Sequence, residues 1–460
     1  MSNNSFDLVV IGAGPGGYVA AARASELGMS VACIDKNYLG GTCLNVGCIP
    51  SKALLESSEL YYRSKKGLEQ HGITLGEIGL DLTAMMARKE KIVGNMTKGI
   101  EDLFKGHSVA SFAGTGRLLG DGKVEVAGAD GKQVLEAQNV LLATGSTPVQ
   151  LPALSFDGAH IISSTEALEL KEVPHRMVVI GAGAIGLEMG SVWSRLGAEV
   201  LVVEFMEQIL PGMERELADQ LQRLLKRQGM DFKLQTSARG FAIKKGRVEL
   251  QLAADGKESV EMCDVVLVAV GRRPVVEGLG LEEGGVELDE RGRIKIDVHG
   301  RTSAEGIWAI GDLVPGPMLA HKAEAEGVAA VERMVGKAGQ VNYEAIPGVV
   351  YTHPELATVG LSEEMAKEQG HEVSIGKYQF RANARAHCMG EIDGLVKIVA
   401  DAKTDRLLGM HILGAQASNL IAEGVLALEF GASAEDVART VHAHPVLSEV
   451  VKEAAWAVGE

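Results

Sequence analysis

The residues best suited to chemistry in this sequence are two cysteines, Cys43 and Cys48, separated by four residues. Thiols this close along the chain can close a small disulfide ring. In a regular helix, residues five positions apart are more than about 7 Å apart and point in different directions, which is too far for a disulfide. A bond between these sulfurs therefore requires a distortion of the backbone between them, which Gly47 would ease.

Lys52 lies four residues beyond Cys48, so the two side chains can share one helix face after the distortion. A helix N-terminus and a nearby cation both lower the pKa of a thiol and favour the thiolate. Two other interpretations stay open from this segment alone. The cysteines could be unpaired and buried, as free cysteines commonly are, or they could bind zinc, which is disfavoured because no second ligand pair with metal spacing is seen.

An internal duplication predicts the elements that position this pair. A short apolar run precedes G-x-G-x-x-G at residues 12–17 and again at residues 181–186, and a helical pattern and a second apolar run follow each time. That second run ends in an acid, Asp35 or Glu204, 23 residues after the first glycine in both copies. The glycines allow a tight turn, close approach of a pyrophosphate and helix packing, and the acid accepts from ribose hydroxyls. The pattern predicts two dinucleotide sites.

Two dinucleotides on one chain indicate a flavin and a nicotinamide. The first copy continues into the cysteine segment, so we assign the flavin to it. The second copy has no arginine directly after Glu204. A carboxylate there suits a free ribose 2′-hydroxyl and repels a 2′-phosphate, which favours NAD over NADP.

Length and composition favour a multidomain α/β protein. The chain has 460 residues, 46% of them apolar, and 57 glycines, which are typical of tight βα turns. We predict two Rossmann-like dinucleotide-binding domains, and the alternating pattern from about residue 341 onward predicts a C-terminal α+β domain. The net charge of −16 argues against nucleic acid and anionic membrane as partners, and no apolar run reaches the ~20 residues that span a bilayer.

The cysteine count indicates a compartment. Five cysteines are few for this length, and the chain begins without a signal-peptide pattern, so we expect the reducing cytoplasm. A disulfide there is usually catalytic or redox-sensing. We interpret Cys33 and Cys263 as small core residues, and Cys388 has no visible partner.

Two further segments carry candidate polar groups. Asp312 follows the apolar run 306–310, at the strand end where ligands of α/β sheets gather, although a turn aspartate that caps the next helix is an equally good interpretation. Near the C-terminus, Pro445 suits a first helical turn, which would place His444 at the helix start. Glu449 could orient its imidazole as in a general base; the alternative is a capping histidine beside a solvated glutamate.

Together these segments resemble the pyridine nucleotide–disulfide oxidoreductases, and most closely the members that oxidise dihydrolipoamide. The resemblance covers essentially the whole chain and is carried by residues 40–52, 309–312, 318–322 and 442–445 with Glu449. Glutathione reductase-like members usually place arginines near the second acidic strand, and mercuric reductase-like members carry an added C-terminal cysteine pair; neither is seen here. Asp35 is a mild departure, because glutamate is commoner there.

The resemblance implies an FAD-binding domain (1–148), an NAD-binding domain (149–271), a central domain that completes the FAD site (272–340) and an interface domain (341–460). It implies a homodimer in which His444 and Glu449 act on the partner's Cys43, and Lys52 pairs with Glu188 to tune the flavin. The implied FAD residues are Gly12, Gly14, Gly17, Asp35, Lys52, Gly116, Thr144, Gly145, Ser146, Asp312, Met318, Ala320 and His321. The implied NAD residues are Gly181, Gly183, Gly186, Glu188, Glu204 and Gly271.

The implied reaction reoxidises protein-bound dihydrolipoamide to lipoamide and reduces NAD to NADH, with lipoyl-bearing proteins of 2-oxo acid dehydrogenase complexes as partners. His444 would act as base, Cys43 would exchange thiols with substrate, and Cys48 would pass electrons to FAD. Two alternatives remain: another NAD(P)H-dependent disulfide reductase, and a non-catalytic flavoprotein redox sensor. A sensor needs no base, so His444 and Glu449 argue against it.

Overall fold

The computed structural model of the protein describes residues 4–129 and 131–459. The strands are β1 (Ser5–Ile11), β2 (Val31–Asp35), β3 (Ala110–Ala113), β4 (Thr115–Gly120), β5 (Lys123–Gly128), β6 (Gly131–Leu142), β7 (Ser146–Pro148), β8 (Ile161–Ile162), β9 (Arg176–Ile180), β10 (Glu199–Val203), β11 (Met230–Lys233), β12 (Ser237–Lys244), β13 (Arg247–Ala254), β14 (Lys257–Cys263), β15 (Val265–Val268), β16 (Arg272–Pro274), β17 (Ile307–Ala309), β18 (Gly348–Val350), β19 (Glu355–Gly360), β20 (Val373–Gln379), β21 (Leu395–Asp401) and β22 (Leu407–Gly414). The helices are α1 (Pro15–Glu26), α2 (Gly41–Val46), α3 (Cys48–Lys66), α4 (Leu82–Gly106), α5 (Ser164–Ala167), α6 (Ala184–Leu196), α7 (Arg215–Arg227), α8 (Ala320–Met334), α9 (Glu363–Glu368), α10 (Ala384–Met389), α11 (Ala417–Glu429), α12 (Ala434–Arg439) and α13 (Glu449–Trp456). None of these helices is long and apolar enough to cross a membrane.

The described residues form two compact units. The first takes the residues up to Ala53 together with Ala84–Val149 and Gly271–Val341; the second takes Leu54–Thr83, Gln150–Val270 and the residues from Asn342 onward. The breaks after Val149, Val270 and Val341 lie one residue from the limits predicted for the four domains. The four-domain division itself stays a prediction, because each unit joins segments of more than one predicted domain.

A sheet with a parallel core organises the first unit. β1 pairs in parallel with β2 on one side and β6 on the other, β3 pairs with β2, and β17 pairs with β6. The residues Leu8, Val9 and Val10 of β1 are fully buried, as expected for a strand covered on both faces. The order β1–α1–β2 is the unit that the first glycine motif predicts.

The second unit repeats this architecture and adds an antiparallel sheet. β11, β10, β9, β15 and β8 form a parallel sheet, with α6 connecting β9 to β10. β18, β19, β22, β21 and β20 form an antiparallel sheet whose buried residues share one core with α11, α12 and α13. The predicted fold, two Rossmann-like dinucleotide units and a C-terminal α+β region, is confirmed.

A buried cation in the second unit supports a stability prediction. Lys397 of β21 is 2% exposed, and its Nζ lies 2.8 Å from Glu214 and 2.7 Å from Glu363. Since removing one partner leaves buried charge without compensation, we expect Lys397→Met to lower the free energy of unfolding by about 3–5 kcal/mol. Lys403, in an exposed pair with Glu372, provides the control. Lys403→Met should change this free energy by less than about 0.5 kcal/mol, and equal losses in urea unfolding would contradict the prediction.

Candidate active site

Cys43 and Cys48 lie on two helices that are interrupted at Gly47. α2 ends at Val46 and α3 begins at Cys48, so the backbone is distorted between the two sulfurs, as the sequence predicts for a close pair. A Cβ at Gly47 would lie 2.9 Å from the Thr42 carbonyl oxygen, so a larger residue would not fit the break without movement. Cys43 and Cys48 are present as thiols and not as a disulfide, and the Cys43 sulfur is hydrogen-bonded with that of Cys48.

The two sulfurs have different surroundings. Cys48 is exposed and occupies the first position of α3, whereas Cys43 is half-buried. The hydrogen bond with Cys48 and then burial raise the pKa of the Cys43 thiol, while Lys52 opposes the shift. A helix start favours a thiolate at Cys48. The reduced pair is therefore asymmetric, with the proton favoured on Cys43.

The first glycine turn lies between β1 and α1, where a dinucleotide phosphate would bind. A Cβ at Gly12 would overlap the Ala143 carbonyl oxygen, and one at Gly17 would overlap the turn itself, so both positions require glycine. Asp35 ends β2, and its carboxylate accepts the Ala13 N–H at 2.8 Å. This contact pins the turn at the start of α1, whose first N–H groups can receive a phosphate.

The second glycine turn repeats the same contact. Glu204 directly follows β10, is buried, and accepts the Ala182 N–H at 2.6 Å. No atom lies within 4 Å of a Cβ built at Gly183, so this part of the turn is open to a ligand. An ionised carboxylate can accept about four hydrogen bonds, so both acids retain capacity for ribose hydroxyls. The residues of each unit fit a dinucleotide.

A polar cluster in the first unit joins segments that are distant in sequence. The Ser146 hydroxyl donates to the Asp312 carboxylate, and Arg272 donates from Nε to Ser146 Oγ and from Nη2 to the Ser146 carbonyl, both at 2.7 Å. Asp312 lies inside a short 3₁₀ turn, Gly311–Leu313, and Leu319 is the residue that precedes α8, so Asp312 does not cap the next helix and that interpretation is wrong. Ser146 and Asp312, both predicted to bind the flavin, therefore meet directly. Arg272 holds Ser146, and the sequence analysis missed this arginine although it directly follows Gly271.

A buried ion pair on α8 holds the turn that carries Asp312. Lys322 Nζ lies 3.0 Å from Glu326 and donates to the Gly311 carbonyl at 3.0 Å. The Gly311 N–H donates to Glu326 at 2.7 Å. Glu326 was also missed, and its signal was the four-residue spacing from Lys322.

The remaining predicted flavin residues also lie in the first unit. The Thr144 hydroxyl donates to the Val275 carbonyl at 2.7 Å, and the Gly145 carbonyl accepts the Val275 N–H at 2.9 Å. Gly116 of β4 packs closely against Ile11. The start of α1 and the region where α8 begins hold the others: Gly14, Met318, Ala320 and His321.

Two residues predicted to bind NAD have other observed contacts. Gly271 belongs to the first unit, where its carbonyl accepts the Val149 N–H at 3.0 Å. Glu188 lies in α6 of the second unit, where its buried carboxylate accepts the Tyr351 N–H at 3.0 Å. The implied pairing of Glu188 with Lys52 stays a prediction.

His444 and Glu449 form a hydrogen-bonded pair in the second unit. His444 Nδ1 lies 2.9 Å from one Glu449 oxygen, and the other oxygen accepts the Val446 N–H at 3.0 Å. The contact with His444, and after it the contact with Val446, lowers the pKa of Glu449. The His444 side chain is 72% exposed. The predicted helix start at Pro445 is wrong. α13 begins at Glu449, four residues after Pro445.

Comparison with known proteins identifies the family. Residues 6–327 match the family model described as pyridine nucleotide-disulphide oxidoreductase, and residues 346–455 match the dimerisation domain of that family. The chain belongs to the pyridine nucleotide-disulphide oxidoreductases.

Relatives of this oxidoreductase align along nearly its whole length. It is 50% identical to the mitochondrial dihydrolipoyl dehydrogenase of Pisum sativum, over 98% of this chain and 91% of that protein. It is 51% identical to the leghemoglobin reductase of Vigna unguiculata, over 98% and 87%. The crystal structure of LpdA from Mycobacterium tuberculosis matches with a TM-score of 0.91 at 27% identity, over 98% and 99%. The predicted family is confirmed.

The other cysteines of this oxidoreductase lie apart from the redox pair in sequence. Cys33 and Cys263 are buried, as predicted for core residues, and burial raises the pKa of the Cys263 thiol to about 12. Cys388 is exposed on α10. Buried thiols such as Cys33 and Cys263 are inert and do not compete with Cys43 and Cys48 for electrons.

Proposed function

We propose that this oxidoreductase is a dihydrolipoyl dehydrogenase, which oxidises dihydrolipoamide to lipoamide and reduces NAD to NADH with FAD as its flavin. The observation that carries the proposal is the Cys43–Cys48 pair, which is hydrogen-bonded across a helix break and lies in the same unit as a dinucleotide turn. The identity of 50% to the pea dihydrolipoyl dehydrogenase supports this choice of substrate.

The proposed reaction proceeds by two successive thiol–disulfide exchanges. His444 takes the proton of one substrate thiol, and the resulting thiolate attacks Cys43 of the oxidised pair. The disulfide breaks, a mixed disulfide forms at Cys43, and Cys48 leaves as a thiolate. The second substrate thiol then attacks the mixed disulfide, which closes the lipoyl ring and breaks the bond to Cys43; the proton of this second thiol passes to the released Cys43 sulfur. FAD, when bound, supplies the means of passing this electron pair on to NAD as hydride.

The histidine pair and the cysteine pair come from different subunits in this proposal. The match to a dimerisation domain over residues 346–455 supports a homodimer, and His444 and Glu449 lie in that segment. An exposed His444 is available to a second copy of the chain. His444 and Glu449 of one protomer thus act on the partner's Cys43, with Glu449 fixing the imidazole through Nδ1.

The predicted flavin and NAD residues, including Lys52, keep their roles in this proposal, and the domains keep the limits 1–148, 149–271, 272–340 and 341–460. We place the enzyme in the cytoplasm, although the pea relative is described as mitochondrial. Its macromolecular partners are lipoyl-bearing proteins of 2-oxo acid dehydrogenase complexes.

A steady-state assay of the purified, FAD-loaded protein tests the function. We expect dihydrolipoamide-dependent formation of NADH, with kcat/KM for NAD at least about tenfold above that for NADP, because Glu204 repels a 2′-phosphate. Glutathione disulfide with NADPH is the control for a general disulfide reductase and should give negligible turnover. A yellow protein with no activity on dihydrolipoamide would be a redox sensor and would overturn the proposal.

A further inference from the structure

Tyr18 and Glu324 form a polar pair in the first unit that the reaction steps above do not use. The Tyr18 hydroxyl donates to the Glu324 carboxylate at 3.5 Å, and both side chains are half-buried. Tyr18 lies in the first turn of α1, and Glu324 lies in the first turns of α8. Burial and then the charge of Glu324 raise the pKa of Tyr18 to about 12, so the tyrosine remains a donor at neutral pH.

Close packing of two helices brings this pair together. A Cβ at Gly16 of α1 would lie 2.9 Å from the Ala323 carbonyl oxygen, and one at Gly327 of α8 would lie 2.6 Å from the Gly16 carbonyl oxygen. The helices thus approach backbone to backbone, which only small residues permit. Tyr18 and Glu324 are two and one residues beyond that contact, so their positions are fixed by rigid elements.

The start of α1 also lies against the segment that carries the cysteines. The Gly40 N–H donates to the Ala13 carbonyl at 2.8 Å, and a Cβ at Gly41 would lie 2.6 Å from the Gly14 Cα. Gly41 begins α2, which carries Cys43 two residues later. Tyr18 and Cys43 pack against the same apolar cluster. The starts of α1 and α2 and the beginning of α8 therefore converge, and at this point the charge of Glu324 acts on the Cys43 sulfur.

We propose that the Tyr18–Glu324 pair positions the proton of the reduced cysteines: the Glu324 carboxylate keeps Cys43 a neutral thiol, so the negative charge of the pair rests on Cys48. This inference rests on the proposed roles of the two cysteines. Tyr18 acts through Glu324, because its hydrogen bond orients the carboxylate and stabilises its charge.

The groups around Cys43 and Glu324 shift the pKa values of these two residues in known directions. The charge of Glu324 adds to the hydrogen bond with Cys48, to burial and to the charge of Cys48 in raising the pKa of the Cys43 thiol, and Lys52 opposes them. Burial raises the pKa of Glu324, whereas His321 on α8 and the hydrogen bond from Tyr18 lower it. Removing the Glu324 charge should therefore favour the Cys43 thiolate.

Alkylation of the reduced holoenzyme directly measures how readily the Cys43 thiol ionises. Iodoacetamide reacts with thiolates, and peptide mass spectrometry separates Cys43 from Cys48. In Glu324→Gln, we expect the pH midpoint for labelling of Cys43 to fall, with labelling about threefold to tenfold faster below the midpoint. Tyr18→Phe should shift the midpoint in the same direction by less. It also provides a second test if Glu324→Gln loses FAD.

Glu332→Gln is the matched control. Glu332 also lies on α8 and accepts from Arg23 of α1 at 2.6 Å, so it bridges the same two helices away from the cysteines. The pH dependence of Cys43 labelling in Glu332→Gln should equal that of the wild type. An unchanged profile in Glu324→Gln, or an equal shift in Glu332→Gln, overturns the inference. This readout requires no turnover, so it is separate from the assay that tests the proposed function.

Discussion

Replacing either redox cysteine with serine should reduce dihydrolipoamide oxidation by roughly 10⁴-fold or more, because no disulfide remains to accept the substrate's electrons. The two variants should nevertheless differ in colour. Cys48 begins α3, is exposed, and is assigned to the flavin. Cys43→Ser should therefore show a long-wavelength thiolate–flavin charge-transfer band in the FAD-loaded enzyme, and Cys48→Ser should lack it.

Cys388→Ser is the control for this comparison, because Cys388 is an exposed free thiol with no role in the proposal. It should retain wild-type turnover and the wild-type spectrum after two-electron reduction. A charge-transfer band in Cys48→Ser that is absent from Cys43→Ser would reverse the assignment of the sulfurs. Substantial turnover in either redox variant would contradict the disulfide mechanism itself.

The parts of this fold that the sequence predicts are those that local spacing controls. The glycine turns require glycine because a Cβ would strike neighbouring backbone, as at Gly12, and this requirement leaves a fixed pattern along the chain. The break at Gly47 is predictable from the spacing of the two cysteines, since a regular helix would hold their sulfurs too far apart for a disulfide. The alternating pattern also predicts the antiparallel strands, although β21 and β22 are buried along nearly their whole length.

The parts that the sequence does not predict depend on contacts between distant segments. Arg272 meets Ser146 across 126 residues, and Tyr18 meets Glu324 across 306, so no periodicity in either segment indicates the pairing. The sequence also does not predict that each acid accepts a backbone N–H of its own glycine turn, and the reason there is different. The motif assigns Asp35 and Glu204 to ribose, whereas in the structure both first satisfy backbone N–H groups.

The misplaced helix start at Pro445 shows competition between two local signals. Proline favours a first helical turn, but Glu449 makes two hydrogen bonds as the first residue of α13, to the Val446 N–H and to His444. A glutamate that accepts the backbone N–H three residues before it is typical of a helix start, so the bond from Val446 favours the later start that the structure shows. The side chain at this later start is also the one that contacts the proposed base, which ties the error to the functional site.

His444→Gln should lower kcat for dihydrolipoamide oxidation by about 10²–10⁴-fold, the range for loss of a general base. The loss should shrink as the pH rises, because a substrate thiol with a pKa near 8.5 ionises without help in alkali. His442→Gln is the matched control: His442 also contacts a carboxylate, Glu423, at 2.7 Å, yet it has no assigned role. It should change kcat by less than about threefold. An equal loss in both variants, or a loss independent of pH, would assign His444 a structural role.

Complementation between subunits decides whether His444 acts on its own chain or on the partner's. Homodimers of Cys43→Ser and of His444→Gln should both be nearly inactive. A heterodimer purified with two different affinity tags contains one Cys43→Ser chain and one His444→Gln chain. If the base acts across the interface, one of its two sites combines an intact Cys43 with an intact His444, and about half of the wild-type activity per dimer returns. If the base acts within its own chain, both sites remain defective and the heterodimer is inactive, because neither chain carries both groups.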